Sequence, residues 1–397
     1  LEAYSAFRSR DYRFLLTGLF LSNFGMQMLS VAVSWDLYIQ TKSALVLGNV
    51  GFVQVAPFIL FALFAGHAAD RYDRRRIMIL TQVLLLTASV LLTIGFRSVA
   101  LIYGCLFLTA CGRAFQWPAR QSLLPHVVVP GTLANAITWN SSVQEISSVS
   151  GPAIAGILLA AAGSRTVYIV QTIFGCLTLV CYIGLRYRSK VVADRPAPTA
   201  KSLLEGMHYV RDNKLILSAI SLDLFAVLFG GATALLPIYA ADILHAGARG
   251  LGWLRAAPSV GSVTMALVLA HSPKIHRAGA ILLWAVAGFG AATIVFGISR
   301  SFALSLAMLA LTGACDNISV VLRQSLLQTT PDYVRGRVLA FSSVFISSSN
   351  QFGAVESGWT AAWFGAVRSV AGGGIATLAV VAICAAVSEP LRKWRQQ

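Results

Sequence analysis

Runs of predominantly apolar residues, separated by short polar clusters, recur along the whole chain. A helix rising 1.5 Å per residue needs about 20 such residues to cross the hydrocarbon core of a bilayer. Twelve segments reach that length, at roughly 13–38, 44–66, 77–96, 99–118, 136–162, 166–186, 215–241, 250–271, 279–298, 302–327, 338–364 and 370–388. Lipid supplies no water for unpaired backbone groups, so each must be a helix or a strand of a closed barrel. Their length and unbroken hydrophobicity rule out strands. The pattern predicts an all-α integral membrane protein with 12 transmembrane helices. The first segment is long and follows Arg8, Arg10 and Arg13, which reads as a true span and not as a cleavable signal. The chain begins at Leu1, so a few residues are expected to precede it.

The pattern also repeats. The pentapeptide RQSLL stands at 120–124 and again at 323–327, an offset of 203 residues. RFLLTG at 13 opens the first span and KLILSA at 214 opens the seventh, 201 residues later. Arg74 after the second span maps onto Arg277 after the eighth. Each RQSLL copy is followed by a Pro-containing turn, PHVVVPGTLANA and QTTPDYVRGRVLA. Duplication predicts two six-helix bundles, residues 1–186 and 215–397, joined by a cytoplasmic linker at 187–214. The linker carries DRPAPTAKS and then SLLEGMHYVRDNK, in which Leu203, Leu204, Met207 and Val210 fall at helical spacing. That spacing predicts an amphipathic helix lying on the cytoplasmic surface.

Composition sharpens the class. The chain is 57% hydrophobic and 12% charged, with mean hydropathy +0.72, against about 25% charged in soluble domains. A net charge of +16 raises the question of a nucleic-acid partner, and its placement answers it. With the N-terminus in the cytoplasm, 22 of the 31 Lys and Arg fall on the cytoplasmic side, and 6 on the other (Lys42, Arg97, Arg165, Arg249, Arg300, Arg368). Arg113, Arg255 and Arg323 lie within spans. This is the positive-inside bias. It puts both termini in the cytoplasm and needs no polyanion. The six cysteines sit in apolar segments without CxxC spacing and read as small buried hydrophobes. No pattern calls for a metal or a cofactor. HExxH, GxSxG and GxxxxGK[ST] are all missing from the sequence, which argues against an intramembrane enzyme and a self-contained ATP-driven pump.

Three local motifs carry chemistry. GHAADRYDRRRIM (66–78) resembles the loop between the second and third helices of the major facilitator superfamily, written G-x-L-A-D-R-x-G-R-(K/R). Gly66, Asp70, Arg71, Arg74 and Arg75 match; Ala68 replaces the Leu and Asp73 the second Gly. The resemblance implies a cytoplasmic gate in which Asp70 meets the start of the eleventh helix, RGRVLAF, while the arginines bridge to carboxylates or helix C-termini across the two halves. The second-half counterpart, HSPKIHRAG, lacks the Asp. SVSGPAIAG (148–156) resembles the antiporter signature of the same superfamily through Gly151, Pro152 and Gly156. Small residues permit close helix packing in lipid, and Pro152 removes a backbone hydrogen bond. RAFQ (113–116) resembles the R-x-x-Q of proton-coupled drug exporters. A guanidinium within the bilayer is costly unless it faces a cavity or a partner, which marks Arg113 as functional.

The superfamily resemblance covers the whole chain and implies two halves related by a pseudo-twofold axis along the membrane normal, with the substrate site near mid-membrane. FRSRDYRFLLTG, ADRYDRRR, PARQSLLP and LRQSLLQTTPDYVRGRV look like the branch that includes the bacterial enterobactin exporter and macrolide-efflux-like proteins. Membrane-embedded acids are the candidates for proton coupling: Asp36, Glu145, Asp223, Asp316 and Glu356, with Arg113. Asp316 is deepest by count, and Arg323 lies two turns further along the same face. Gly25 is followed by Met26 where the branch often has an acid, which moves the coupling expectation to Asp316 and Glu356. Polar and aromatic residues at mid-helix levels, Trp35, Gln54, Asn140, Gln144, Asn317, Asn350 and Gln351, are expected to line a substrate cavity.

The leading expectation is a monomeric, multi-pass secondary transporter of a bacterial inner membrane, in contact with lipid. It exports a small amphipathic molecule, siderophore or drug-like, against protons by alternating access. The alternatives are a lipid or lysolipid flippase, and an importer or uniporter on the same scaffold.

Overall fold

The protein is seen here as a computed structural model that describes residues 2–187, 200–272 and 276–395. The linker stretch DRPAPTAKS falls largely outside the described residues, as does the centre of HSPKIHRAG. The described residues contain helices and turns and no strand. After a short 3₁₀ segment come α1 (Arg10–Thr41), α2 (Ala44–Arg71), α3 (Arg74–Gly95), α4 (Val99–Val127) and α5 (Leu133–Gly184). They are followed by α6 (Ala200–Asp212), α7 (Lys214–Phe229), α8 (Gly247–His271), α9 (Ala278–Ile298), α10 (Phe302–Gln328), α11 (Asp332–Phe364), α12 (Ala366–Val387) and the short α13 (Glu389–Lys393).

Ten helices among the described residues are long and apolar enough to cross a bilayer. The surfaces they present suit lipid: Leu80, Ile94, Trp284 and Val387 are each more than two-thirds exposed, a placement that water would penalise at about 25 cal/mol per Å². Two predicted spans, 136–162 and 166–186, belong to the single 52-residue α5. They are divided at Gly163, whose φ of 78° and ψ of 172° turn the chain without closing a loop. A Cβ there would be strained by the backbone alone.

The chain forms two compact units, residues 1–40 with 53–199, and 41–52 with 200–397. In the first, the ends of α1, α3, α4 and α5 bury a common core that includes Tyr12, Leu15, Met78, Leu123 and Tyr182. Asp73 accepts a hydrogen bond from the Arg75 amide at 3.0 Å and so caps α3. This is the service an Asp performs where the superfamily pattern has glycine. Asp11 accepts from the amides of Arg186 at 3.1 Å and Tyr187 at 2.9 Å just beyond the end of α5.

In the second unit the predicted seventh span, 215–241, falls within the candidate membrane span Lys214–Ile243, whose helix changes form along its length. α7 stops at Phe229, and a 3₁₀ turn and a π-turn carry the chain from Ala232 to Ile243. The cause is the pair Gly230–Gly231: a Cβ on Gly231 would stand 2.7 Å from the Ser357 Oγ, so α11 occupies the space that a continuing helix with side chains needs. Residues 41–52 also pack on α11. A Cβ on Gly48 would come 2.8 Å from the Gly358 Cα, and Trp359 donates to Asn49 at 3.1 Å.

The linker helix α6 packs one of its sides on protein. Val210 is buried in the core with Ile216, Val334 and Val338. Gly206 lies against the α11 backbone, where a Cβ would meet the Arg337 carbonyl at 2.6 Å. Glu205 forms an ion pair with Arg337. Met207 remains exposed, and the side chains of Leu203 and Leu204 lie outside the described ones. The helix therefore docks on protein through the Gly206–Val210 side, because glycine admits the backbone of α11.

Candidate functional site: a polar cleft in the first unit

α4 runs to Val127, nine residues past the predicted end of the fourth span, so Arg120 is a helical residue of a membrane segment and not a loop charge. Where α4 ends and α5 begins, the first unit holds a cavity of about 240 Å³ lined by Leu19, Trp117, Arg120, Gln121, Leu124, Ile137, Asn140, Ser141, Gln144 and Glu145. Helical spacing explains the set. Trp117, Arg120, Gln121 and Leu124 fall at i, i+3, i+4 and i+7 along α4, one face of a helix. Ile137, Asn140, Ser141, Gln144 and Glu145 follow the same rule on α5. The Arg120 guanidinium lies over the Trp117 ring at 4.6 Å, a cation–π contact worth about 0.5–2 kcal/mol. Tyr12 reaches Asn140 at 3.5 Å and donates to the Ala136 carbonyl at 3.0 Å. Among the described residues Arg120 and Glu145 each have no ion-pair partner.

Of the expected cavity residues, this cleft gathers Asn140 and Gln144, together with the acid Glu145. Trp35 and Gln54 are half-buried elsewhere in the same unit. In the second unit Asn317 donates to Ser262 at 3.1 Å. Asn350 donates to the Ile346 carbonyl of its own helix at 3.0 Å, and Gln351 is half-buried on that helix. Arg120 and Gln121 lie beyond the predicted end of the fourth span at 118, and Trp117 lies inside that span but is not among the expected cavity residues. The signal was present as the face WxxRQ continuing past Pro118, which the helix accommodates.

The five acids have different surroundings. Asp36 is buried and accepts from Ser164 and, at 2.6 Å, from Tyr168, tying α1 to the arm of α5 after Gly163. Asp223 is buried in an ion pair with Arg323 and accepts from Ser319 at 3.1 Å. Arg323 thus turns to α7, although it shares a helix face with Asp316. Asp316 is half-buried and makes no hydrogen bond or ion pair among the described residues. Glu356 receives only a long contact from Ser357, at 3.4 Å.

The motif residues also take positions. Arg74 donates to the Ser122 carbonyl at 3.2 Å, and Arg75 to those of Ile183 at 2.6 Å and Tyr182 at 3.4 Å. Both satisfy carbonyls near helix C-termini inside their own unit. Arg71 makes no such contact among the described residues, and the side chain of Asp70 lies outside the described ones. Gly151, Pro152 and Gly156 are buried; at Gly151 a Cβ would stand 2.7 Å from the Gln27 Cβ of α1, so glycine sets that helix crossing. RAFQ separates: Gln116 is buried and donates to Gln82 at 3.3 Å, which donates to the Gly175 carbonyl at 3.1 Å. Arg113 is exposed and makes no hydrogen bond or ion pair among the described residues.

The sequence profile described as transmembrane secretion effector matches residues 1–397. The staphyloferrin A transporter of Staphylococcus aureus is 23% identical over 393 residues, covering 96% of this chain and 97% of that protein. The multidrug efflux pump Tap of Mycolicibacterium fortuitum is 26% identical over 83% of each chain. The enterobactin exporter EntS of Escherichia coli is 25% identical over 100% of this chain and 95% of its own. Among solved structures, a POT family transporter superposes with a TM-score of 0.76 at 11% identity over 97% of both chains. A bacterial homolog of the human lysosomal transporter Spinster does so at 0.75 and 16%, over 97% of this chain and 98% of that one.

Proposed function

The chain belongs to the transmembrane secretion effector family of the major facilitator superfamily, and from that we propose that it exports a siderophore or drug-like small molecule across a bacterial inner membrane. It is a multi-pass membrane protein and not an enzyme. In this reading the chain has 12 spans with both termini cytoplasmic, works as a monomer by alternating access, and exchanges its substrate for protons. The observation that carries the reading is the whole-length relation to proteins named for siderophore and drug transport. It stands beside a cleft that combines a cation, an acid, amides and an aromatic ring.

The surroundings of the acids sort their roles. Asp36 and Asp223 are held by fixed donors and serve the packing of their units. Glu145 and Asp316 lack such partners and are assigned the proton. A carboxylate within lipid or an apolar bundle is costly to keep ionised unless paired, so an unpaired one is free to exchange its proton as its surroundings change. The test is uptake of a panel of siderophores and dyes into inside-out vesicles with an imposed pH gradient. Accumulation that collapses on adding a protonophore is expected; accumulation that an uncoupler leaves untouched overturns proton exchange.

A further inference from the structure

The two RQSLL copies place an arginine at the same point of each half, Arg120 and Arg323, yet only one of them is neutralised. Arg323 is 3% exposed and ion-paired with Asp223 of α7. The α1 positions that correspond to Asp223 are Ser22 by the 201-residue offset of the helix openings and Phe20 by the 203-residue offset of the pentapeptides. Neither is acidic. The other α1 acids are engaged elsewhere, Asp11 by the amides of Arg186 and Tyr187 and Asp36 by Ser164 and Tyr168. Arg120 instead opens onto the cleft, its guanidinium carbon 4.6 Å from the centre of the Trp117 ring.

The geometry points to an organic monoanion as the ligand of this cleft, its anionic group sitting on Arg120 in the place that Asp223 takes on Arg323. The inference rests on the cleft being the transporter's ligand site. A guanidinium held over an aromatic ring loses part of its freedom, and its N–H groups form a fork that fits a carboxylate. Gln121, Asn140 and Gln144 supply the neutral donors and acceptors that orient the remainder of the ligand. Glu145 limits the charge. A ligand with one anionic group finds one cation, whereas a second anionic group would share the cavity with Glu145, whose carboxylate repels it whenever it has given up its proton. Arg120 and Glu145 together therefore select for one negative charge.

The experiment uses the full chain in lipid nanodiscs, titrated by calorimetry with 2-naphthoate, its neutral isostere 2-naphthamide and the dianion 2,6-naphthalenedicarboxylate, with empty nanodiscs subtracted. Naphthoate is expected to bind at least about tenfold more tightly than the amide, the scale of one charge-assisted hydrogen bond, and more tightly than the dianion. Arg120→Gln brings the acid down to the level of the amide measured on the same variant. Arg120→Lys retains part of the preference, and Glu145→Gln removes the discrimination against the dianion. Equal affinity of the wild-type protein for acid and amide overturns the inference without any variant, as does an acid preference that survives Arg120→Gln. Selective naphthoate binding without gradient-driven transport would defeat the export reading alone. Intact transport without acid selectivity would defeat the monoanion site alone.

Discussion

Substituting Asp223 tests the energetics of the second unit most directly. Asp223 and Arg323 are 4% and 3% exposed, and around them Ala219, Ile220, Leu222, Ala226, Leu322 and Leu326 are all buried. Asp223→Leu leaves the guanidinium in that apolar setting without its ion-pair partner. An uncompensated buried charge of this kind costs about 3–5 kcal/mol. Removing both charges is a different perturbation, because desolvation of two ions is relieved together with their attraction. The double variant Asp223→Leu/Arg323→Met is therefore expected to lie within about 1–2 kcal/mol of wild type, on either side. Denaturant unfolding of the purified protein, monitored by circular dichroism, reads both numbers. The two units need not unfold in one step, so the transition of the second unit is followed separately by a fluorophore attached to α9. If Asp223→Leu alone is as stable as wild type to within about 1 kcal/mol, the pair is not the buried electrostatic contact described. If the single and double variants lose equal stability, the loss comes from packing and not from an orphaned charge.

Four further outcomes follow. Asp36→Asn weakens the contacts from Ser164 and Tyr168 and should cost about 1.5–3 kcal/mol, the loss expected for hydrogen bonds to a charged group, while gradient-driven uptake per folded molecule persists; abolished uptake with normal stability would assign Asp36 to coupling instead. Glu145→Gln and Asp316→Asn should do the reverse, keeping stability within about 0.5 kcal/mol and losing the dependence of uptake on the pH gradient in the vesicle assay. Glu205→Gln removes a half-exposed ion pair worth under about 1 kcal/mol, whereas Gly206→Val forces a side chain toward the Arg337 carbonyl and should cost about 1–3 kcal/mol; thermal unfolding that ranks the two the other way would contradict the docking of α6. Arg75→Gln leaves the carbonyls of Tyr182 and Ile183 without a donor and should lower stability by about 1–2 kcal/mol, measured by the same denaturant titration.

Hydrophobic runs and their spacing were enough to show a helical membrane protein, since only a helix of about 20 apolar residues hides its own backbone groups from lipid. The RQSLL repeat and the 201-residue return of the helix opening point to a duplication, because they need only like residues at like intervals. Other features were hidden for identifiable reasons. The fourth span was drawn to end near Pro118, yet a proline can stand inside a membrane helix when neighbours satisfy the freed carbonyl. That error concealed Arg120. The unbroken apolarity of 215–241 masked the break at Gly230–Gly231, which depends on α11 approaching from far along the chain.

Sequence by itself therefore determined the class of the protein, its internal repeat and which residue types stand at membrane depth. Those properties follow from transfer free energies that each segment meets alone. Tertiary structure decided the partners. Two identical pentapeptides carry arginines of opposite fate, Arg323 neutralised by Asp223 and Arg120 left open beside Trp117 and Glu145. A charge in an apolar bundle is settled by whichever group other helices bring to it, and for Arg323 that group lies a hundred residues away along the chain.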